Sequence, residues 1–266
     1  MGGSYNMNRP GNWSREEHIL AFNLYSKIPF GTIHIRNPQI QFLAKLIGRS
    51  VGSVSYKLAN FARLDPALKA RGIRGATHGA KGEEEIWKEF ALDPEALAFE
   101  SQQLMAQYLG EEVTEYAEVE TRDLPKAGLE RQAIVRLRVN QSFFRRRVLS
   151  AYNNRCCITG LAVPALLTAS HIVPWASDAS NRLNPRNGLC LNTLHDRAFD
   201  RGLLWVDDDF VVRFSAKLRS GSMGEFGDAQ WFYEFEGRPL RLTKTCSPDP
   251  TLLRLHALAA QRADGK

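Results

Sequence analysis

Cysteine is scarce in this chain: four among 266 residues, at Cys156, Cys157, Cys190 and Cys246. Two are adjacent, and adjacent cysteines rarely bridge each other. No Cys-x-x-Cys pair occurs, which argues against a structural zinc site of the usual spacing. Buried reduced thiols are expected, with Cys156 and Cys190 as a partial metal site in the alternative. No run approaches the roughly 20 apolar residues a membrane span requires. The opening residues lack the apolar centre of a secretion signal. These absences lead to the expectation of a soluble cytoplasmic protein with no membrane partner.

Acidic residues are also scarce, but only in places. Residues 1–81 hold 12 Lys/Arg against 3 Asp/Glu, a local charge of +9, and residues 82–120 hold 1 against 12, or −11. Residues 121–150 return to +6, and the remainder is close to balance at +2. Segregated basic segments attract phosphate backbones by displacing their counterions. The acidic stretch reads as a solvated helix face, or as a cover for the basic segments when nucleic acid is absent.

The pattern predicts an α+β chain in two parts: a helical domain over 1–120 and a mixed domain over 121–266, whose core spans about 140–207. Ser14 followed by Glu17 is a capping box, opening a helix that Pro29-Phe30-Gly31 ends. Pro38 suits the first turn of a second helix. Gly48-Arg49-Ser50 is a tight turn, with Ser50 capping a third helix that turns Val54, Leu58 and Phe61 inward. Helix, short turn and helix outline a helix-turn-helix. Its expected outward face shows Ser53, Ser55, Tyr56, Lys57 and Asn60, which with Arg49 are candidate DNA contacts. Trp13, Tyr56 and Trp87 read as packing aromatics rather than a base pocket. Residues 65–82 read as a loop, where Arg71, Arg74, His78 and Lys81 could touch phosphates. Residues 110–130 read as a linker. Residues 132–152 suggest a strand-like start and then a basic helix, with Arg145, Arg146 and Arg147 splayed around it. Beyond residue 203, alternating runs flank Asp207-Asp208-Asp209, a hairpin turn rather than a metal cluster. The tail from Pro250 reads as a helix, with His256 as a packing residue.

Residues 156–204 hold the chemistry. Ser170-His171-Ile172-Val173-Pro174-Trp175, then Asn184-Pro185-Arg186-Asn187-Gly188-Leu189, then Leu194-His195-Asp196-Arg197-Ala198-Phe199-Asp200 place three polar residues, His171, Asn187 and His195, at the edges of apolar runs. Gln141 to Tyr152 and Cys156-Cys157-Ile158-Thr159-Gly160 lead into them. In order and spacing these blocks resemble the HNH nuclease family, whose core is the ββα-metal fold. The likeness covers about residues 128–207. It implies that His171 is the general base, that Asn187 ties the loop that aims it, and that His195 binds one divalent metal ion. It also implies double-stranded DNA as substrate and products with 5′-phosphate and 3′-hydroxyl ends. A neutral imidazole takes a proton readily at neutral pH. The chain departs from the family at Ser170, where many members carry Asp or His as a second ligand. A hydroxyl is a weak ligand for a hard cation, so Ser170 contributes weakly and Asp196 is the reserve. Mg²⁺ or Mn²⁺ is the expected ion, with Ni²⁺ or Zn²⁺ as options for a nitrogen ligand. Arg145, Arg186 and Arg201, then Arg182, are expected at phosphates.

The leading expectation is a DNA endonuclease of restriction or host-defence type, open to sensing base modification. One ββα-metal site cuts one strand, so double-strand cleavage calls for a homodimer. The alternatives are a DNA-binding protein with a decayed HNH domain, for which Ser170 is the sign, and a weakly specific nicking nuclease or toxin.

Overall fold

The computed structural model describes residues 11–70, 72, 81–221, 230–242 and 247–264. Arg71, Arg74, His78 and Cys246 lie outside them. The chain divides into two compact units, residues 1–140 and 141–266. No helix among the described residues is long and apolar enough to cross a membrane.

The first unit is helical. α1 (Arg15–Tyr25) begins at the expected capping box: the Ser14 hydroxyl accepts the Glu17 N–H at 3.2 Å, and the Glu17 carboxylate accepts the Ser14 N–H at 2.8 Å. α2 (Pro38–Ile47) has Asn37 as its cap and Pro38 in its first turn, and it stops at Gly48, whose φ of 68° suits a residue without Cβ. Ser50 then caps α3 (Val51–Ala62) by accepting the Ser53 N–H. Two short helices, α4 (Pro66–Ala70) and α7 (Val113–Tyr116), fall where loops were expected, and α5 (Lys81–Phe90) and α6 (Pro94–Leu109) complete the unit. Val54, Leu58 and Phe61 turn inward as expected and are fully buried. Each such side chain contributes about 1.5–3 kcal/mol. Phe61 stacks on Phe22 at 4.9 Å, and Trp87 closes the cluster against Phe22 at 5.2 Å.

The expected outward face of α3 is corrected in two places. Lys57 and Asn60 are buried and both bond to the Glu83 carboxylate, which is itself fully buried. A buried charge survives only when paired, and the partner comes from α5, 26 positions along the chain. Arg49 is likewise drawn inward. It donates to both Glu17 oxygens and to the carbonyls of Gly11 and Asn12, and it lies over the Trp13 ring. Tyr56 stays exposed, and Ser53 and Ser55 are half-buried.

α8 (Leu129–Ala151) is one continuous helix, so the strand-like start is also corrected. Val135, Leu137 and Val139 alternate as a strand would. The Arg, Leu and Gln around them are good helix formers, however, and no Gly or Pro interrupts the 23 residues. In the second unit its buried face carries Phe143, Phe144, Val148 and Leu149.

There, β1 (Leu167–His171) pairs antiparallel with β2 (Gly188–Asn192), setting His171 opposite Gly188. A Cβ at Gly188 would stand 2.5 Å from Val148 Cγ2 and 2.9 Å from Phe144 Cζ, so only glycine lets β2 start this close to α8. α9 (Thr193–Asp200) follows directly, capped by Asn192, and packs on both strands. β3 (Leu204–Val206) and β4 (Val212–Phe214) form the expected hairpin. Asp207 makes its turn, accepting the N–H groups of Asp209 and Val211, and Asp208 pairs with Arg254. Short helices α10 (Ala216–Gly221) and α11 (Gln230–Tyr233) precede α12 (Pro250–Asp264), whose Ala257 and Ala260 pack with Trp205. His256 of α12 packs as expected, face to face with Phe199 at 3.6 Å, donating Nε2–H to the Phe199 carbonyl. Cys156, Cys157 and Cys190 are free and buried, and burial pushes the Cys190 thiol up to about 12.

Candidate active site

The β1–β2 pair and α9 form one small unit, and the segment between the strands folds over it. Asn187 is fully buried and holds that segment. Its Oδ1 accepts the Val173 N–H at 2.8 Å, and its Nδ2 donates to the carbonyls of Val173 and Asn181, both at 3.1 Å. The amide is fully engaged with main chain, so its part is to shape the loop.

His171 ends β1. Its ring stacks on Phe144 at 3.7 Å and 14°, and the Trp175 ring meets it edge-on at 5.5 Å and 87°. Nε2 lies 3.0 Å from the Arg182 carbonyl. A carbonyl only accepts, so Nε2 carries the proton and Nδ1 holds the lone pair. Burial lowers the imidazole below its usual pKa, and the Arg182 carbonyl and the Asp200 charge partly offset this. His171 is therefore a neutral imidazole at neutral pH.

His195, the expected metal ligand, sits in an aromatic setting. It is fully buried, stacked on Phe232 at 4.5 Å and edge-on to Phe235 at 5.7 Å. Nδ1 and the backbone N–H both bond to Asn192 Oδ1, and Nε2 is buried without a partner. Burial alone lowers its pKa to about 4. Adjacent helix residues differ by about 100° around the axis, which turns Asp196 to the opposite task. Asp196 lies beside Ser170, and its carboxyl is raised above the usual range, first by burial and also by the Asp200 charge, while Ser170 and Arg197 hold it down. Asp200, one turn on, is raised by burial and held down by Arg197, His171 and Arg201. The Ser170 hydroxyl is buried and makes no hydrogen bond of ordinary geometry.

Two carboxylates at i and i+4, each penalised for its charge, suit a hard divalent cation that keeps several waters and takes the rest of its shell from phosphate. No cluster of three or more His, Cys, Asp or Glu side chains suited to a metal occurs among the described residues. A cation here would rest on this carboxylate pair and a bound phosphate. Asp200 escaped the sequence reading, although its spacing of four from Asp196 was the available signal.

The candidate phosphate contacts are divided. Arg145 donates to the carbonyls of Leu167 and Pro164, and Arg147 to that of Leu183. Arg182 donates to the Trp175 carbonyl. Arg186 is half-exposed, reaching the Ser247 carbonyl at 3.3 Å and Asp249 at 3.8 Å. Arg201 is exposed beside Asp200.

Residues 156–207 match a family model described as HNH endonuclease. The match spans β1, β2 and α9, including His171, Asn187, Asp196 and Asp200. No curated protein matches the chain. Residues 156–207 are thus similar to an HNH endonuclease domain, and that similarity suggests a nuclease.

Proposed function

We propose that this protein is a divalent-metal-dependent endonuclease that hydrolyses phosphodiester bonds in double-stranded DNA. The observation that carries this reading is His171: a neutral imidazole, with its Nε2–H committed to a carbonyl and its Nδ1 left as acceptor, beside the Asp200 carboxylate of α9. His171 Nδ1 takes the proton from the attacking water, and the imidazolium so formed is eased by the Arg182 carbonyl and the Asp200 charge. Asp196 and Asp200 would hold the cation, with Ser170 as a weak helper, and Mg²⁺ or Mn²⁺ would suit such oxygen donors. When bound, the ion supplies charge relief at the phosphate and at the leaving oxygen. His195 takes a packing role in this assignment, and Asn187 a loop-shaping one.

The biological role proposed is restriction or host defence. α2, the Gly48 turn and α3 serve as a helix-turn-helix-like DNA reader through Ser53, Ser55 and Tyr56, and Arg186 and Arg201 reach phosphates in the second unit. Arg49, Lys57 and Asn60 are left out of that contact set because Glu17 and Glu83 engage them. Cleavage of both strands calls for two copies on DNA.

The test is a supercoiled plasmid incubated with the full chain and Mg²⁺ or Mn²⁺. The expected products are nicked and then linear DNA. His171→Ala is expected to cut roughly 10²–10⁴-fold more slowly while binding DNA as the parent does. Equal cutting by His171→Ala sinks the base assignment, and intact plasmid with every ion sinks the function.

A further inference from the structure

The segment between β1 and β2 is more elaborately tied than a connecting loop requires. Its return leg is knotted by side chains: Asp178 Oδ1 accepts the Ser180 and Asn181 N–H groups at 3.0 and 3.3 Å, and Asn181 Nδ2 donates to Asp178 Oδ2 at 2.7 Å. Asn184 Nδ2 donates to Asn181 Oδ1 at 2.8 Å, and Asn187 Nδ2 to the Asn181 carbonyl. The next residue, Arg182, faces both ways. Its carbonyl receives Nε2 of His171 at 3.0 Å. Its side chain returns to Trp175, donating Nε–H to the Trp175 carbonyl at 2.8 Å and lying 5.6 Å from the centre of the Trp175 ring. That ring meets His171 at 5.5 Å and 87°, and the imidazole also stacks on the face of Phe144. The circuit is closed: His171 to the Arg182 carbonyl, the Arg182 guanidinium to Trp175, and Trp175 back to His171.

We infer that Trp175 and Arg182 are positioning residues for His171, gripping each other so that the imidazole keeps its proton on Nε2 and presents Nδ1. This rests on the nuclease reading above, and it gives Arg182 a part other than the phosphate contact its charge suggests. A guanidinium that holds the loop changes the turnover step, because a base displaced by about 1 Å can lose on the order of 10²-fold in rate. A guanidinium that neutralises phosphate changes DNA affinity and its salt dependence instead.

The experiment compares Trp175→Leu, Trp175→Phe and Arg182→Lys with the parent full chain. Both positions are only half-buried, and thermal melts accompany each variant. Three quantities are read: kcat on a plasmid substrate, DNA affinity as a function of salt without divalent ion, and the imidazole ¹⁵N shifts of His171, assigned through His171→Gln. The expected result is a kcat loss of roughly tenfold or more in Trp175→Leu and Arg182→Lys, with Kd and its salt slope unchanged and the Nε2–H tautomer no longer dominant. Trp175→Phe, which keeps an aromatic edge and the carbonyl at 175, is expected to restore both kcat and tautomer. Unchanged kcat with weaker, less salt-sensitive binding in Arg182→Lys overturns the inference, as does unchanged kcat in Trp175→Leu. If the parent chain cuts nothing, the nuclease reading falls separately and the ¹⁵N spectra decide. Loss of the Nε2–H tautomer in the two variants then supports the grip, and its retention overturns it.

Discussion

His195 and Asp196 are neighbours in sequence and opposites in environment. The imidazole is sealed against Phe232 and Phe235, whereas the carboxyl sits beside Ser170 with Asp200 one turn away. Asp196→Asn or Asp200→Asn should therefore raise the Mg²⁺ concentration for half-maximal cutting by roughly tenfold or more. His195→Gln should lower the melting temperature and leave that concentration unchanged; a large rise for His195→Gln alone would return the ligand role to the histidine. The spacing of His171, Asn187 and the helix was plain from the residues. Which helix residue faces β1 was not, because residue type drew attention to the histidine while the helical turn turns Asp196 to Ser170. Lys57 and Asn60 escaped for a related reason. Whether a lysine faces water or the core depends on a buried acid such as Glu83, which nothing local announces.

At the scale of elements, local signals were the most readable. Ser14 and Ser50, read as caps, do cap their helices through their side chains, as do Asn37 and Asn192, which the sequence reading did not single out, and each chemistry acts within three residues of its target. Ser14→Ala removes the oxygen that accepts the Glu17 N–H, and it should destabilise the chain by about 1 kcal/mol, read as a lower denaturant midpoint with unchanged slope. A shift in slope instead would place the effect in the unfolded state. α8 was harder to read. Val135, Leu137 and Val139 mimic strand alternation, and the competing signal, helix formers without interruption, acts over the whole of its 23 residues. The hairpin at Asp207 was legible because its side chain bonds to backbone two and four residues ahead.

For the molecule as a whole, acid is the natural weakness. His18 is lowered, chiefly by burial and also by the nearby Lys57 charge, and burial lowers His256 to about 4. Both take up protons less readily in the folded chain, while the unfolded chain binds protons at these residues below about pH 6.5. Their contribution to stability is complete above that pH and is lost as pH falls toward their folded values. Melting temperature should be level from pH 8 to about 6.5 and then decline to pH 4.5. A curve that stays flat to pH 4.5 would show that these imidazoles protonate in place. The charge segregation is likewise a whole-chain property, visible in the sequence alone. Its internal outlets, Arg49 to Glu17 and Lys57 to Glu83, needed coordinates.

Gly188 has no charge, no hydrogen-bonding side chain and no chemistry of its own, yet it faces His171 across the strand pair, with Val148 and Phe144 pressed against its empty side. A single methyl group there must push away the aromatic floor on which the imidazole rests. Disarming the proposed nuclease would then require no change to any polar atom, and a screen that surveys only ionisable positions would overlook this point.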